Sequence, residues 1–99
     1  MAENKIAAYL GLARRAGKLA LGVNAVSVCK SGVYLLVADE SASENTKKEI
    51  AKLARRFGCP VLWTGDLESV TGKAYCKLAA VREENLASAI RKTSEREAE

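Results

Sequence analysis

Residues 33–38 read VYLLVA, six hydrophobic residues in succession, with Gly32 before them and Asp39 after. A strand with one wet face alternates apolar and polar side chains. An unbroken apolar run closed by turn residues is the pattern of a central strand covered on both faces. The flanks supply the covers. Upstream, Val23 to about Lys30 reads as a helix with Ala25, Val26 and Cys29 as its buried face, stopped by Ser31 and Gly32. Downstream, after a loop at Asp39–Ser43, the residues Ile50, Leu53, Ala54 and Phe57 fall at i, i+3, i+4 and i+7 of a helix that Gly58 ends. Ser41 with Glu44 fits a capping box there, and Ser43 competes as N-cap.

The same reading extends to both ends. Asn4–Arg15 is helical by the spacing of Ile6, Tyr9, Leu10 and Ala13; Arg14 and Arg15 close it, and Gly17 caps it. Lys18–Leu21 reads as a short edge strand broken by Gly22, and Val61–Thr64 as a third strand. Asp66 is placed to cap a short helix, Leu67 to about Thr71, which leads into a Gly72–Lys73 turn. Leu78–Val81 is the fourth strand. Glu83 or Asn85 opens a last helix anchored by Leu86 and Ile90, and the charged tail Ser94–Glu99 is expected to fray. Tyr34, Phe57 and Trp63 fall in core patterns. The order αβαβαβαβα, with short connections, implies one domain over residues 1–99 and a sheet held between helices.

Charge is distributed unevenly. The net charge is +4, and from Asn4 to Ala38 there is no Asp or Glu, so Lys5, Arg14, Arg15, Lys18 and Lys30 stand unopposed. Such a one-sided excess suits a phosphate-bearing partner. The turn LGLARRAGKLALGVNAVSVCKSG at 10–32 combines these cations with glycines at the start of a helix, where free N–H groups collect. Asn24 sits in the first turn of that helix; its amide either reads a base edge or caps the helix. The cations of the third helix, Lys47, Lys48, Lys52, Arg55 and Arg56, read as a solvated face.

Several function classes are disfavoured. The chain has no histidine and three cysteines, Cys29, Cys59 and Cys76, without any CxxC, so His-based catalysis, a zinc site and a disulfide framework are not expected. Gly65 and Gly72 stand seven positions apart, where the phosphate-loop pattern GxxxxGK sets them five apart. Asp39 and Glu40 are adjacent on a strand end and point opposite ways, so they do not form a catalytic pair; Asp39 opens the turn before the third helix. With few aromatics free, stacking on a sheet face is disfavoured and shape-based recognition of structured RNA fits better. No signal peptide or span of roughly 18 apolar residues is visible, so a cytoplasmic protein without a membrane is expected.

The segments LGLARRAGKLALG at 10–22, VYLLVADESASENTKK at 33–48, GCPVLWTGDLESVTGKA at 58–74 and ENLASAIRK at 84–92 together resemble the YlxQ-like bacterial branch of the ribosomal protein family that binds RNA kink-turns. That family includes small archaeal and eukaryotic large-subunit proteins, and the resemblance covers roughly residues 5–92. It implies a three-layer α/β/α sandwich with a four-stranded mixed sheet. It also implies a non-enzymatic RNA-binding role, with contacts to RNA at the turn entering the second helix and the loop after the fourth; a monomer without cofactors, acting on ribosomal or other kink-turn RNA, is expected. In the kink-turn binders a Gly-x-Asn-Glu stretch opens the second helix, with a Lys three residues past the Glu. Gly22 and Asn24 match; Ala25 and Val28 stand at the Glu and Lys positions, and Thr71 replaces a leucine before Gly72. Loss of the Glu removes an acceptor worth about 1–3 kcal/mol of base discrimination. The expected RNA-binding residues are Arg14, Arg15, Lys18, Gly22, Asn24, Lys30 and Lys73. The alternative is a protein-interaction module of a ribonucleoprotein that has lost kink-turn specificity.

Overall fold

The computed structural model describes the backbone of residues 2–98 and the side chains of residues 5–94. Its elements are α1 (Ala2–Arg15), β1 (Leu19–Leu21), α2 (Val23–Ser27), β2 (Leu35–Asp39), α3 (Glu44–Phe57), β3 (Val61–Thr64), α4 (Leu67–Thr71), β4 (Leu78–Val81) and α5 (Glu84–Ala98). The sheet order is β1-β4-β2-β3. β4 runs antiparallel to both β1 and β2, whereas β2 and β3 are parallel. The sheet is therefore mixed, with the VYLLVA segment in an interior strand.

Alternation along the strands builds two cores. Leu35 and Val37 of β2 join Ala79 and Val81 of β4 on one face, covered by α1, α4 and α5 through Leu10, Leu67, Ala87 and Ile90. Leu36, Ala38, Leu78 and Ala80 face the other way, under α2 and α3, against Val26, Ile50 and Leu53. Every residue of β2 and β4 is buried, as a strand covered twice requires. The result is a three-layer α/β/α sandwich.

Local chemistry sets the element ends. α1 closes with Lys18 N–H on the Ala13 carbonyl and Gly17 N–H on that of Arg14, and α3 repeats the pattern at Gly58, whose φ of 64° is left-handed. Ser43, not Ser41, caps α3: its hydroxyl accepts from Thr46 N–H. Ser41 is engaged with Asp39. The Glu83 carboxylate accepts from Asn85 and Leu86 N–H and so opens α5. The fraying expected of the tail Ser94–Glu99 falls largely on side chains outside the described residues; the backbone is helical through Ala98.

Some expectations are corrected. α2 ends at Ser27 rather than near Lys30, because Arg56 donates to the carbonyls of Ser27 and Cys29 and holds the chain as it leaves the helix. In so short a helix only Val26 is buried; Ala25 is exposed. Tyr34 lies one residue before β2 and is 43% exposed, and Trp63, on the edge strand β3, is 40% exposed, since an edge strand is only partly covered by the helices.

Asp66 occupies the N-cap position of α4, but among the described residues its side chain makes no capping hydrogen bond. Asp39 caps α4 from a distance. This carboxylate is 3% exposed. One oxygen accepts from Ser41 N–H and the Ser41 hydroxyl at 2.8 and 2.7 Å, and the other from Leu67 N–H at 2.9 Å. Burial pushes its pKa up, but the hydrogen bonds from Ser41 and Leu67 and the nearby charge of Lys77 outweigh burial and hold it below the ordinary value of 3.8. The folded state thus favours the charged form. The resulting stability is complete above the unfolded value and is lost as pH falls through the lower, folded one. Asp39→Ala should lower unfolding free energy by about 2–4 kcal/mol, and Asp39→Asn should flatten the dependence of the urea midpoint on pH below about pH 4. An acid limb unchanged in Asp39→Asn would contradict this assignment.

Candidate nucleic-acid interface

The strand directions sort the candidate residues. The C-terminal ends of β1, β2 and β3 and the N-terminal end of β4 share one edge of the sandwich. There Gly22, Asn24, Ala25, Thr46, Lys73, Tyr75 and Lys77 line a cleft of about 470 Å³. Ligands in open α/β sheets gather at such ends, where chain turns expose backbone groups.

Gly22 begins the wall. Its φ of 95° and ψ of 152° lie in a region essentially restricted to glycine. Its N–H donates to the Leu78 carbonyl at 2.7 Å, and a Cβ placed on it would lie 3.1 Å from Lys73 Nζ. It is also the N-cap of α2, and no side-chain hydrogen bond closes that end among the described residues. Asn24 therefore does not cap its helix, and its exposed side chain borders the cleft.

The opposite wall is the α4–β4 turn. Lys73 Nζ donates to the Leu21 carbonyl at 2.9 Å, and Arg14 Nη1 donates to the Thr71 carbonyl at the end of α4. Gly72 carries the left-handed φ that ends α4, and Thr71 Oγ1 accepts from Lys73 N–H at 3.4 Å. Two cations thus tie the turn to α1 and β1. Lys77 donates to the Ser41 hydroxyl at 2.8 Å, which joins the cleft floor to the Asp39 network. Among the described residues the ion pairs are Lys47–Glu44 and Lys52–Glu49, both within α3; Lys73 and Lys77 are in neither, although the charge of Lys77 is felt by Asp39.

The structure brings Arg14, Gly22, Asn24 and Lys73 together and leaves others apart. Lys18 lies at the opposite end of β1, in a smaller hollow with Gly17, Gly32 and Arg82. Lys30 precedes Ser31, whose carbonyl accepts from Arg82 of that hollow. Arg15 is exposed at the end of α1. Thr46, Tyr75 and Lys77 were missed from sequence. Tyr75 and Lys77 lie in a turn without periodicity, and Thr46 reads simply as first-turn helix. The signal available was an aromatic set between Lys73 and Lys77. A more apolar hollow of about 300 Å³, lined by Ile6, Leu10 and Val70, contains none of the candidate residues.

Ala25 is exposed on α2, and Val28, the C-cap that follows the helix, is 77% exposed. Among the described residues, no three His, Cys, Asp or Glu side chains converge to hold a metal. No described helix is long and apolar enough to cross a membrane.

No family model matches the chain, and no curated protein matches it. Among solved structures, a protein of unknown function from Bacillus halodurans C has the same fold, with a TM-score of 0.75, 26% identity, and coverage of 92% of this chain and 97% of that one. It establishes an α/β architecture common to both chains.

Gly22→Ala should cost about 1–3 kcal/mol, because alanine is strained at this backbone position and its Cβ would crowd Lys73 Nζ, which is held on the Leu21 carbonyl. A thermal melt should show a fall of several degrees for this 99-residue chain. An unchanged Tm would mean that the β1–α2 turn relaxes freely.

Proposed function

We propose that this chain is a non-enzymatic RNA-binding protein of the ribosomal kink-turn-binding type, YlxQ-like, acting in the cytoplasm as a monomer on structured RNA. The observation that carries this reading is the convergence of Asn24, Gly22, Lys73 and Lys77 on one cleft, with the Asn24 amide not spent on capping. Phosphates would lie along Lys73, Lys77 and the nearby Arg14; close approach of the RNA backbone is eased by Gly22, which has no side chain. Ala25 at the position of the family's Glu leaves a site that holds phosphate and shape more strongly than base identity.

A second reading keeps support from one feature. Ala25 and the 77%-exposed Val28 make the outward side of α2 apolar where the family carries charge, which suits a protein neighbour in a ribonucleoprotein.

The test is a titration of a kink-turn RNA and a matched straight duplex at two salt concentrations. RNA reading predicts tighter binding to the kinked RNA that persists at the higher salt. Equal, weak binding that disappears with salt would leave only a phosphate surface and favour the protein-docking reading. Asn24→Ala should weaken the kinked RNA more than the duplex, by about 1–3 kcal/mol. Lys73→Ala and Lys18→Ala separate the two ends of the sheet. The first should lower the salt slope of log K by about one; an equal change for Lys18→Ala would mean that the RNA reaches both ends.

A further inference from the structure

Tyr75 is the most exposed large hydrophobic residue of the described chain, at 87%, and the fold gains almost nothing from burying its ring. It is nevertheless held in place. Its φ of 59° is left-handed, a conformation that a bulky side chain adopts only when its surroundings impose it. Here the constraint is visible: Tyr75 N–H donates to the Glu68 carboxylate at 3.0 Å, while Cys76 N–H closes the turn on the Lys73 carbonyl. The chain therefore presents an aromatic ring to solvent at the lip of the cleft that Gly22, Asn24, Lys73 and Lys77 line.

The chemistry on either side narrows the ligand. Lys73 and Lys77 flank Tyr75 in the same turn, and each ammonium is anchored by one hydrogen bond, to the Leu21 carbonyl and the Ser41 hydroxyl. An ammonium has three donors, so both retain donors for a ligand. An exposed aromatic ring two residues from an anchored lysine on either side in the chain, all three lining one cleft, matches a nucleotide, which offers a flat base flanked by phosphates. Resting on the RNA-binding reading above, we propose that Tyr75 is a stacking platform for one unpaired nucleobase of the bound RNA, with the adjoining phosphates on Lys73 and Lys77. The preferred RNA then has an unpaired base free to lie on this lip, and a fully paired duplex cannot use the site.

The test places 2-aminopurine, in turn, at each unpaired loop position of the kink-turn RNA and follows fluorescence and affinity. Stacking predicts one position at which binding changes the fluorescence with the wild-type protein and with Tyr75→Phe, but not with Tyr75→Leu. Tyr75→Leu should bind the kink-turn RNA about tenfold more weakly and the straight duplex unchanged. Its exposed position leaves the core intact, which a circular dichroism melt checks. A fluorescence change independent of Tyr75 at every position, or equal weakening of kinked and straight RNA, overturns the stacking role alone. Failure of the wild-type protein to bind either RNA overturns the RNA reading and this inference with it.

Discussion

The Asp39 carboxylate holds one end of the sandwich together. It terminates the central strand, caps α4 across 28 residues of sequence and fixes Ser41, which in turn receives Lys77. A buried, unpartnered carboxylate would be destabilising, and this one is stable because its hydrogen bonds and the Lys77 charge outweigh desolvation. The consequence is spatial. The β2–α3 loop, the start of α4 and the start of β4 cannot move independently, so the cleft beside them has a defined floor. Both oxygens of Asp39 are committed to this work, which leaves the carboxylate poorly placed to act as a base.

Sheet polarity does the rest of the sorting. Because β1, β2 and β3 point the same way and β4 opposes them, turns from four parts of the chain meet at one edge. Arg14 and Lys73 are at once the charge of that edge and its fasteners, since each donates to a carbonyl on a neighbouring element. A lysine already fixed by one hydrogen bond loses less side-chain entropy when it meets an anion than a freely moving one. Removing either cation would therefore change both the charge of the cleft and its shape.

The architecture was legible because its signals are local and repeated. VYLLVA announced a doubly covered strand, and the period of Ile50, Leu53, Ala54 and Phe57 announced α3. What escaped depends on contacts distant in sequence. Nothing near Leu67 says that its N–H is capped by Asp39. Nothing in Val23–Lys30 says that Arg56 will hold the chain at Ser27 and Cys29. Trp63 and Tyr34 looked like core residues because strand patterns report apolarity and not the sheet edge or the strand's end. Of the candidate site, Gly22, Asn24 and Lys73 were legible as a basic, glycine-broken helix start and turn. Lys18 and Lys30 belong to the same basic window, but Lys18 stands before the start of β1 and Lys30 on the approach to the start of β2, at the other end of the sheet.

The two faces of α2 bear on how a ligand would be held. Val26 alone is buried, so the helix has only one strong anchor in the core and presents Asn24, Ala25 and Val28 outward. A site that read bases chiefly through charge at these positions would need the acceptor and the cation that alanine and valine do not supply. What remains is an amide on α2, the tethered Lys73 and Lys77 in the same cleft, and the exposed Tyr75 ring at its lip. On the proposed RNA-binding reading, phosphate contacts would position the ligand in that set, while discrimination would fall to one amide and to stacking, which is tolerant of base identity. On the proposed reading, the chain should therefore distinguish RNA shapes more sharply than RNA sequences.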